Sequence, residues 1–359
     1  MKYRNFLNDF QAYEWEPSNY DIANDNNLKP ENIVRFDTNT SPYVPSSWLT
    51  SLSEILPNIA VNNYPDSSYR SLRALIAKYN SVHEDEIIVT NGADEALDVI
   101  SKVFIDPQSD VVVSSPTYSL FRIVSQIMEG NIVSVTRLND FNDDIMGLVK
   151  ASKNSNLIFL NSPNNPTGNL VTEDCINTLL DETNSFIVID EAYFEFCDHS
   201  FKNLAIKEPR LIIVRTLSKA FSLAGARVGY IIANKSTVNL LNKVRPPNSL
   251  NMLSIALAEI ALNDIDSVKS IVTKTLSDRA LLYDSLKAIP NLTVFPSYGN
   301  FLLINFDVDV EYVYTSLLSD GLVLRNLSSV PELHNCLRCT VLTKDLNDLL
   351  SSSIRNLIA

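Results

Sequence analysis

The sequence has 359 residues, of which 45% are hydrophobic and 20% are charged, and its formal net charge is −13. This length is enough for one large or two ordinary globular domains, and the acidic balance argues against nucleic acid and anionic membranes as partners. The first 30 residues contain no apolar run typical of a signal peptide, and no stretch approaches 18 consecutive apolar residues. We therefore expect a cytoplasmic protein without a membrane span.

Short apolar runs alternate with helical patterns through the middle of the chain. The runs fall at residues 86–90, 111–114, 132–135, 157–160, 186–189, 211–214 and 228–232. Residues 94–104 have apolar side chains at helical spacing, and Thr117 is predicted to cap a helix that ends near Glu129. Uniformly apolar strands are typical of a sheet buried on both faces, so the pattern predicts an α/β unit with a largely parallel sheet.

The pattern changes near residue 241. Residues 254–284 are predicted to be mostly helical. Three further apolar runs predict strands of a smaller α+β unit, at residues 301–306, 322–325 and 337–341. We predict a large domain over residues 45–245 and a small domain formed by residues 1–44 together with 246–359.

Reactive side chains directly follow two of the predicted strands. Lys219 comes just after the run 211–214, and Asp190 and Tyr193 come just after the run 186–189. Ligands of open α/β sheets bind at the carboxyl ends of the strands. Pyridoxal phosphate (PLP) chemistry needs a lysine amine that forms a Schiff base and an acid that pairs with the pyridinium nitrogen. We assign these roles to Lys219 and Asp190, and a hydrogen bond to the ring oxygen to Tyr193.

The segment after the run 86–90 predicts a phosphate site. Gly92, Ala93 and Asp94 open a helix there, and free backbone N–H groups at a helix N-terminus bind phosphate. Gly92 permits a close approach of the backbone. Ser218 and Arg227 are predicted to complete the cradle, with Arg227 making a bidentate contact. An ordinary capped turn is the alternative interpretation of this motif taken alone.

Three further features fit a PLP site. The loop at residues 161–168 is stiffened by two prolines and a glycine, and we expect an amide side chain in it to donate to the ring oxygen. Tyr118 is predicted to stack on the pyridine ring, with a core position as the alternative. Arg325 and Arg338 lie in otherwise apolar C-terminal strands and suit a phosphate or a carboxylate, with paired surface positions as the alternative.

A C-x-x-C motif in the C-terminal part of the chain does not predict a metal site. Cys336 and Cys339 form this motif, and His334 precedes it by two residues. A structural zinc site wants four ligands, and the sequence has no second C-x-x-C. We interpret the two cysteines as positions of a strand and predict no metal.

These segments together resemble the histidinol-phosphate aminotransferase family, within the fold-type I PLP-dependent aminotransferases. The resemblance runs over about residues 10–350. It is carried in order by residues 64–66, 92–95, 115–118, 162–168, 190–193, 218–221, 324–325 and 336–338. It implies a large domain with a mostly parallel mixed sheet sandwiched by helices, plus a smaller α+β domain, with PLP as cofactor.

The resemblance also implies roles for single residues. It implies a homodimer with shared active sites, in which Tyr64 reaches the cofactor phosphate of the neighbouring subunit. Asn165 takes the ring-oxygen role and also contacts the substrate. Tyr13 lies near the substrate phosphate, and Arg325 and Arg338 receive the substrate anion.

The implied reaction is a ping-pong transamination of histidinol phosphate with 2-oxoglutarate, in which Lys219 moves the proton. The chain departs from the family pattern in its substrate pocket. It has Thr40 where members often have Glu, Asn248 where they often have an aromatic residue, and Leu342 where they usually have Gly.

Three alternatives remain open from the sequence. One is another aminotransferase, for example for aromatic amino acids, and a second is a threonine-phosphate decarboxylase. The third is a non-catalytic binding protein of PLP fold, against which the presence of both Lys219 and Asp190 argues.

Overall fold

The computed structural model describes residues 3–8, 10, 12–13 and 16–358. The strands are β1 Val34–Arg35, β2 Ile87–Thr90, β3 Asp110–Ser115, β4 Asn131–Thr136, β5 Ser155–Asn161, β6 Phe186–Asp190, β7 Leu211–Thr216, β8 Gly229–Ala233, β9 Leu292–Val294, β10 Phe301–Phe306, β11 Leu322–Val323, β12 Arg325–Asn326 and β13 Cys336–Thr340. The α-helices are α1 Asn19–Asn26, α2 Ser46–Ile55, α3 Arg70–Asn80, α4 Gly92–Phe104, α5 Leu120–Ile127, α6 Ile145–Ala151, α7 Glu173–Glu182, α8 Lys202–Ala205, α9 Lys235–Leu241, α10 Met252–Asn263, α11 Ile265–Lys287, α12 Val310–Ser319 and α13 Lys344–Ile358. Among the described residues, no helix is both long and apolar enough to cross a membrane.

A seven-stranded sheet forms the centre of the molecule, in the order β2-β8-β7-β6-β5-β3-β4. Its neighbours from β7 to β4 pair in parallel, and only β8 runs against the others. Every residue of β7 and β8 is buried, because helices cover both faces of the sheet. The predicted α/β fold with a mixed, mostly parallel sheet is confirmed.

The parallel pairing brings the carboxyl ends of several strands to one edge. Asn161 at the end of β5 pairs with Asp190 at the end of β6, and Asp190 pairs with Val214 near the end of β7. The segments that follow these strands therefore start side by side. This edge carries most of the polar groups that the sequence singled out.

The helix after β3 begins later than the sequence predicted. Thr117 was predicted as its N-cap, but α5 begins at Leu120 and Ser119 precedes it. The hydroxyl of Thr117 instead donates to Asn164 Oδ1 at 2.8 Å, and Asn164 Nδ2 donates to the Pro116 carbonyl at 3.0 Å. Thr117 thus joins two loops of the sheet edge, and its side chain is not available to cap the helix.

A second, smaller unit packs beside the large sheet. Its sheet has the order β12-β13-β10-β9 with antiparallel pairing, and β1 pairs in parallel with β11. Phe36, which follows β1, is fully buried in the core of this unit. Helix α10 contributes buried residues to the core of the large sheet, whereas α11 contributes to both cores. The predicted domain boundaries near residues 45 and 245 stay a prediction.

Candidate active site

A cavity of about 960 Å³ lies between the edge of the large sheet and the small unit. Its walls include twelve of the residues that the sequence predicted, namely Tyr13, Ala93, Asp94, Tyr118, Asn165, Asp190, Tyr193, Ser218, Lys219, Arg227, Arg325 and Arg338. We call the part near Lys219, Asp190 and Arg227 the cofactor end, and the part near Arg325 and Arg338 the anion end. One cavity thus joins groups that lie far apart in the sequence.

Lys219 reaches the cavity from the loop after β7. This loop is held by Thr216, whose hydroxyl donates to Ser218 Oγ at 2.8 Å and accepts from the Ser218 N–H at 3.1 Å. Lys219 Nζ donates to the carbonyl of Thr38 at 3.1 Å. Because the protein removes water from the amine and Arg338 lies nearby, the pKa of Lys219 falls from 10.5 to about 8. At pH 7 about a tenth of such an amine is neutral, roughly 300 times more than at a pKa of 10.5, and the neutral form is the nucleophile.

Asp190 ends β6 and is only 3% exposed. Its Oδ1 accepts the N–H of Ala192 at 2.9 Å, and its carbonyl accepts Asn161 Nδ2 at 2.7 Å. Burial raises the pKa of the carboxyl to about 7. A carboxyl in this setting becomes a stable anion at neutral pH when a cation joins it in the cavity.

Tyr193 lies at the junction of the two ends. Its hydroxyl oxygen accepts Asn39 Nδ2 at 3.0 Å and Asn165 Nδ2 at 3.4 Å. Asn165 Oδ1 accepts Arg338 Nη1 at 2.5 Å, and Arg338 Nη2 donates to the carbonyl of Asp37. The Tyr193 oxygen is the acceptor in both of these hydrogen bonds. Its O–H group can therefore donate to a group in the cavity.

Arg227 packs closely against the N-terminus of α4 at the cofactor end. A Cβ at Gly92, which has φ +79°, would lie 2.8 Å from Arg227 Nη2, and a Cβ at Gly229 would lie 2.4 Å from the Gly92 carbonyl carbon. Glycine at both positions therefore lets Arg227 and the first amides of α4 come together. Arg227 Nη2 pairs with Asp94 Oδ2 at 2.9 Å, and Tyr118 donates to Asp94 Oδ1 at 3.2 Å. Asp94 thus fixes both the arginine and the aromatic ring.

The anion end is built from two strands of the small unit. Arg325 of β12 and Arg338 of β13 are directly opposite each other in the antiparallel register. Arg325 Nη1 lies 3.2 Å from Glu16 Oε1, and Tyr13 donates to the same oxygen at 3.4 Å. The arginines therefore face the cavity with one carboxylate of the N-terminal segment beside them.

Tyr64 and Asn248, which the resemblance implicated, do not line the cavity of this chain, and neither does Gly92, although Ala93 and Asp94 do. Tyr64 is 88% exposed, and Asn248 is partly buried with an Oδ1 that has no partner among the described residues. Neither Tyr64 nor Asn248 contributes to the site within one chain. A role for Tyr64 therefore requires a second subunit.

The structure also adds groups that sequence reasoning did not assign. Glu16 contacts Arg325, the carbonyl of Thr38 accepts the Lys219 amine, and Asn39 donates to Tyr193. A backbone carbonyl leaves no signal in a sequence. Glu16 and Asn39 lie in the N-terminal segment outside α1 and β1, so only the tertiary fold brings them to the site.

Comparison with known proteins agrees with this geometry. The sequence profile of the family described as aminotransferase class I and II matches residues 31–354. The chain belongs to this family. The histidinol-phosphate aminotransferase of Thermoanaerobacter sp. (strain X514) is 35% identical over 327 residues, which cover 90% of this chain and 93% of that protein. That of Caldanaerobacter subterraneus subsp. tengcongensis is 34% identical over 341 residues, which cover 93% and 96%.

A solved structure shows the same fold over almost the whole chain. It is the crystal structure of histidinol-phosphate aminotransferase from Sinorhizobium meliloti in complex with pyridoxal-5'-phosphate, with a TM-score of 0.89 and 24% identity. The match covers 99% of this chain and 97% of that chain. The enzyme class and the cofactor predicted from the sequence are thereby confirmed: this chain is a PLP-dependent aminotransferase.

The residues of the cofactor end fit PLP. Gly92 lets the guanidinium of Arg227 pack against the N-terminus of a 13-residue helix, where phosphate is stabilised. Asp190 is a buried acid whose raised pKa calls for a cation such as a pyridinium nitrogen. Lys219 supplies an amine of lowered pKa in the same cavity.

Proposed function

We propose that this enzyme transfers the amino group of histidinol phosphate to 2-oxoglutarate, as a step of histidine biosynthesis. The observation that carries the proposal is the pair Arg325 and Arg338, which are opposite each other in neighbouring strands and line the same cavity as Lys219 and Asp190. Arginine pairs suit phosphate and carboxylate, which are the anionic groups of the two substrates. The names of the relatives support the same substrate.

Within this proposal Lys219 is the residue to which the cofactor attaches and the base that moves the proton of the substrate. Its amine is held by the Thr38 carbonyl and has a pKa near 8, so it both accepts and releases a proton near neutral pH. Bound PLP supplies a protonated ring that withdraws electrons from the reacting carbon. Asp190 keeps that ring protonated, because a buried carboxylate favours a cation beside it.

The other residues at the cofactor end orient the cofactor. We assign the phosphate to the backbone of Gly92, Ala93 and Asp94 together with Ser218 and Arg227. Tyr118 stacks on the ring, since its own hydroxyl is tied to Asp94. Tyr193 donates its free proton to the ring oxygen, and Asn165 supports Tyr193 while it contacts the substrate.

We further propose a homodimer with shared active sites. Tyr64 and Val61, in the segment before α3, are 88% and 75% exposed, which is unusual for large apolar side chains that lie near each other in sequence. A second copy of the chain would cover them and bring Tyr64 to the cofactor phosphate of its partner, as the family resemblance implies. In such a symmetric dimer both subunits use the same surface, so each active site receives Tyr64 from the other subunit.

We also propose that the enzyme works in the cytoplasm. All four cysteines have free thiols, and three of them are buried. Free thiols are the ordinary state of cysteine in a reducing compartment.

The proposal is tested by single-turnover conversion of the bound cofactor to its amine form, with histidinol phosphate, histidinol, phenylalanine and glutamate as separate donors. We expect rapid conversion with histidinol phosphate and glutamate. The full reaction should require 2-oxoglutarate, which separates an aminotransferase from a threonine-phosphate decarboxylase. Fast conversion by phenylalanine and none by histidinol phosphate would instead identify an aromatic aminotransferase.

A further inference from the structure

The two arginines of the anion end form a like-charge pair. Arg325 and Arg338 are directly opposite each other in the register of β12 and β13. Like charges at such positions repel and destabilise the pairing of the strands. Burial lowers the pKa of Arg338, and the positive charge of the neighbouring Arg325 lowers it further. The site therefore needs a negative charge even when no substrate is bound.

Glu16 supplies this charge. Its Oε1 lies 3.2 Å from Arg325 Nη1, and both side chains are about one third exposed or less. The other acid nearby, Asp37, is held through both of its oxygens by Arg35, at 2.8 and 2.7 Å, and its charge favours the charged form of Arg338. Among the described residues, Glu16 is thus the one carboxylate that forms an ion pair with Arg325.

The position of Glu16 is set by the fold. Arg35 Nη1 donates to the carbonyl of Pro17 at 3.0 Å and to Asn19 Oδ1 at 3.2 Å, which fixes the chain just after Glu16. Tyr13 donates to the Glu16 carboxylate from the other side at 3.4 Å. The carboxylate is therefore built into the wall of the cavity, where a substrate anion has to meet it.

We propose that Glu16 is a specificity-determining residue that occupies Arg325 in place of the substrate anion and competes with that anion for the arginine pair. The inference rests on the proposed function, because it takes Arg325 and Arg338 as the anion site. A bound anion either displaces the carboxylate from Arg325 or remains close to it. In both cases Glu16 weakens the binding of the anion. When the carboxylate remains close to Arg325, the repulsion grows in proportion to the charge of the anion.

This competition suits a ping-pong enzyme that uses one site for two different anions. A phosphate dianion would otherwise bind the two arginines far more tightly than the side-chain carboxylate of glutamate or 2-oxoglutarate. Glu16 repels a dianion about twice as strongly as a monoanion. It therefore reduces the difference in affinity with which the two arginines bind these anions. The phosphorylated product can then leave, and the carboxylate substrate can enter.

The test is Glu16→Gln in the PLP-loaded enzyme, with inorganic phosphate and acetate as competitive ligands against histidinol phosphate. Gln keeps an oxygen that accepts from Tyr13 and Arg325 but removes the charge. We expect the inhibition constant of phosphate to fall by about tenfold or more, and that of acetate to fall by roughly threefold. The matched control is Glu182→Gln, an exposed residue at the end of α7 that removes the same charge far from the cavity and should change neither constant.

A second variant shows whether the effect passes through Arg325. In an Arg325→Ala background, Glu16→Gln should tighten phosphate binding by much less than in the wild type, because the contact is already gone. Unchanged or weaker binding of phosphate in Glu16→Gln, or an equal gain in the Glu182 control, would overturn the inference. If instead Arg325→Ala and Arg338→Ala bind phosphate as well as the wild type, the anion site itself is wrong and the proposed function fails with it.

Discussion

The two ends of the cavity are built in different ways. At the cofactor end, Asp190 and Lys219 follow adjacent buried strands, and backbone groups of neighbouring loops fix them. At the anion end, Glu16 and Arg325 lie 309 residues apart and meet only because the N-terminal segment passes the small unit. Bonds to backbone groups therefore hold the reactive side chains of the cofactor end, whereas the anion end depends on an ion pair between Arg325 and Glu16 that can exchange partners. In the proposed function, the groups of the cofactor end carry out the general chemistry and those of the anion end select the substrate.

The largest effect should come from the attachment residue of the cofactor end. Lys219→Ala removes both the nucleophile and the proton carrier, so we expect a loss of roughly 10⁴-fold in kcat. Reduction of the loaded wild-type enzyme with borohydride, followed by peptide mapping, should place the label on Lys219. A label on any other lysine would show that the two ends have been assigned to the wrong groups.

Asp190→Asn tests the same end through charge alone. The amide keeps the shape of the side chain but cannot stabilise a protonated ring, so kcat should fall by roughly 10²- to 10³-fold while PLP is still bound. Absorbance of the bound cofactor and steady-state rates measure the two quantities separately. Asp266→Asn, at a site where the acid is 98% exposed, is the matched control. Turnover near the wild-type level in Asp190→Asn is incompatible with the assignment.

At the anion end, the effect should depend on the substrate. Arg325→Ala and Arg338→Ala each remove a charge-assisted contact worth about 2–4 kcal/mol, so kcat/KM for histidinol phosphate should fall by roughly 30- to 1000-fold. Unphosphorylated histidinol should be affected much less. Equal losses of kcat/KM for both donors would mean that the arginines support the fold and do not bind the substrate anion. The contrast between the two ends would then disappear.

In the proposed dimer, Tyr64 of the second subunit also contributes to the cofactor end. Tyr64→Ala and Lys219→Ala are each expected to be inactive as pure proteins. If Tyr64 acts in the neighbouring subunit, mixed dimers contain one site with both residues intact, and up to about half of the activity per such dimer should return. The measurement is the activity of refolded mixtures whose mixed dimers have been purified by two different tags. Purified mixed dimers without activity would argue against a shared site.

The smallest effect concerns the pH dependence of protein stability that follows from burying the Asp190 carboxyl. The pKa of Asp190 is raised from 3.8 to about 7, so between these values the folded cofactor-free protein binds more protons than the unfolded chain. The resulting stability is present at low pH and is lost as the pH rises through about 7. Asp190→Asn should therefore raise Tm by a few degrees more at about pH 8 than at about pH 5. A Tm difference that does not change with pH would contradict the raised pKa.

The contrast between the two ends also explains which parts of the site the sequence can predict. Motifs at strand ends are local, so the order of apolar runs and polar residues is enough to predict that Lys219, Asp190 and the Gly92 segment lie at one sheet edge, where the structure has them. The start of α5 was missed because Thr117 is used in a contact with Asn164, a residue of another loop. Glu16 was missed for the same reason, since its partner depends on how two distant segments pack and no spacing in the sequence encodes it.

The central claim is that this cavity couples a PLP site to a phosphate-reading arginine pair. Its most direct test is the ratio of kcat/KM for histidinol phosphate to that for histidinol, measured with 2-oxoglutarate as acceptor for the wild type and for Arg338→Ala. We predict a ratio of roughly 30 to 1000 in the wild type, which falls to near one in the variant. A wild-type enzyme that uses the two donors equally well would contradict the account and reject histidinol phosphate as its substrate.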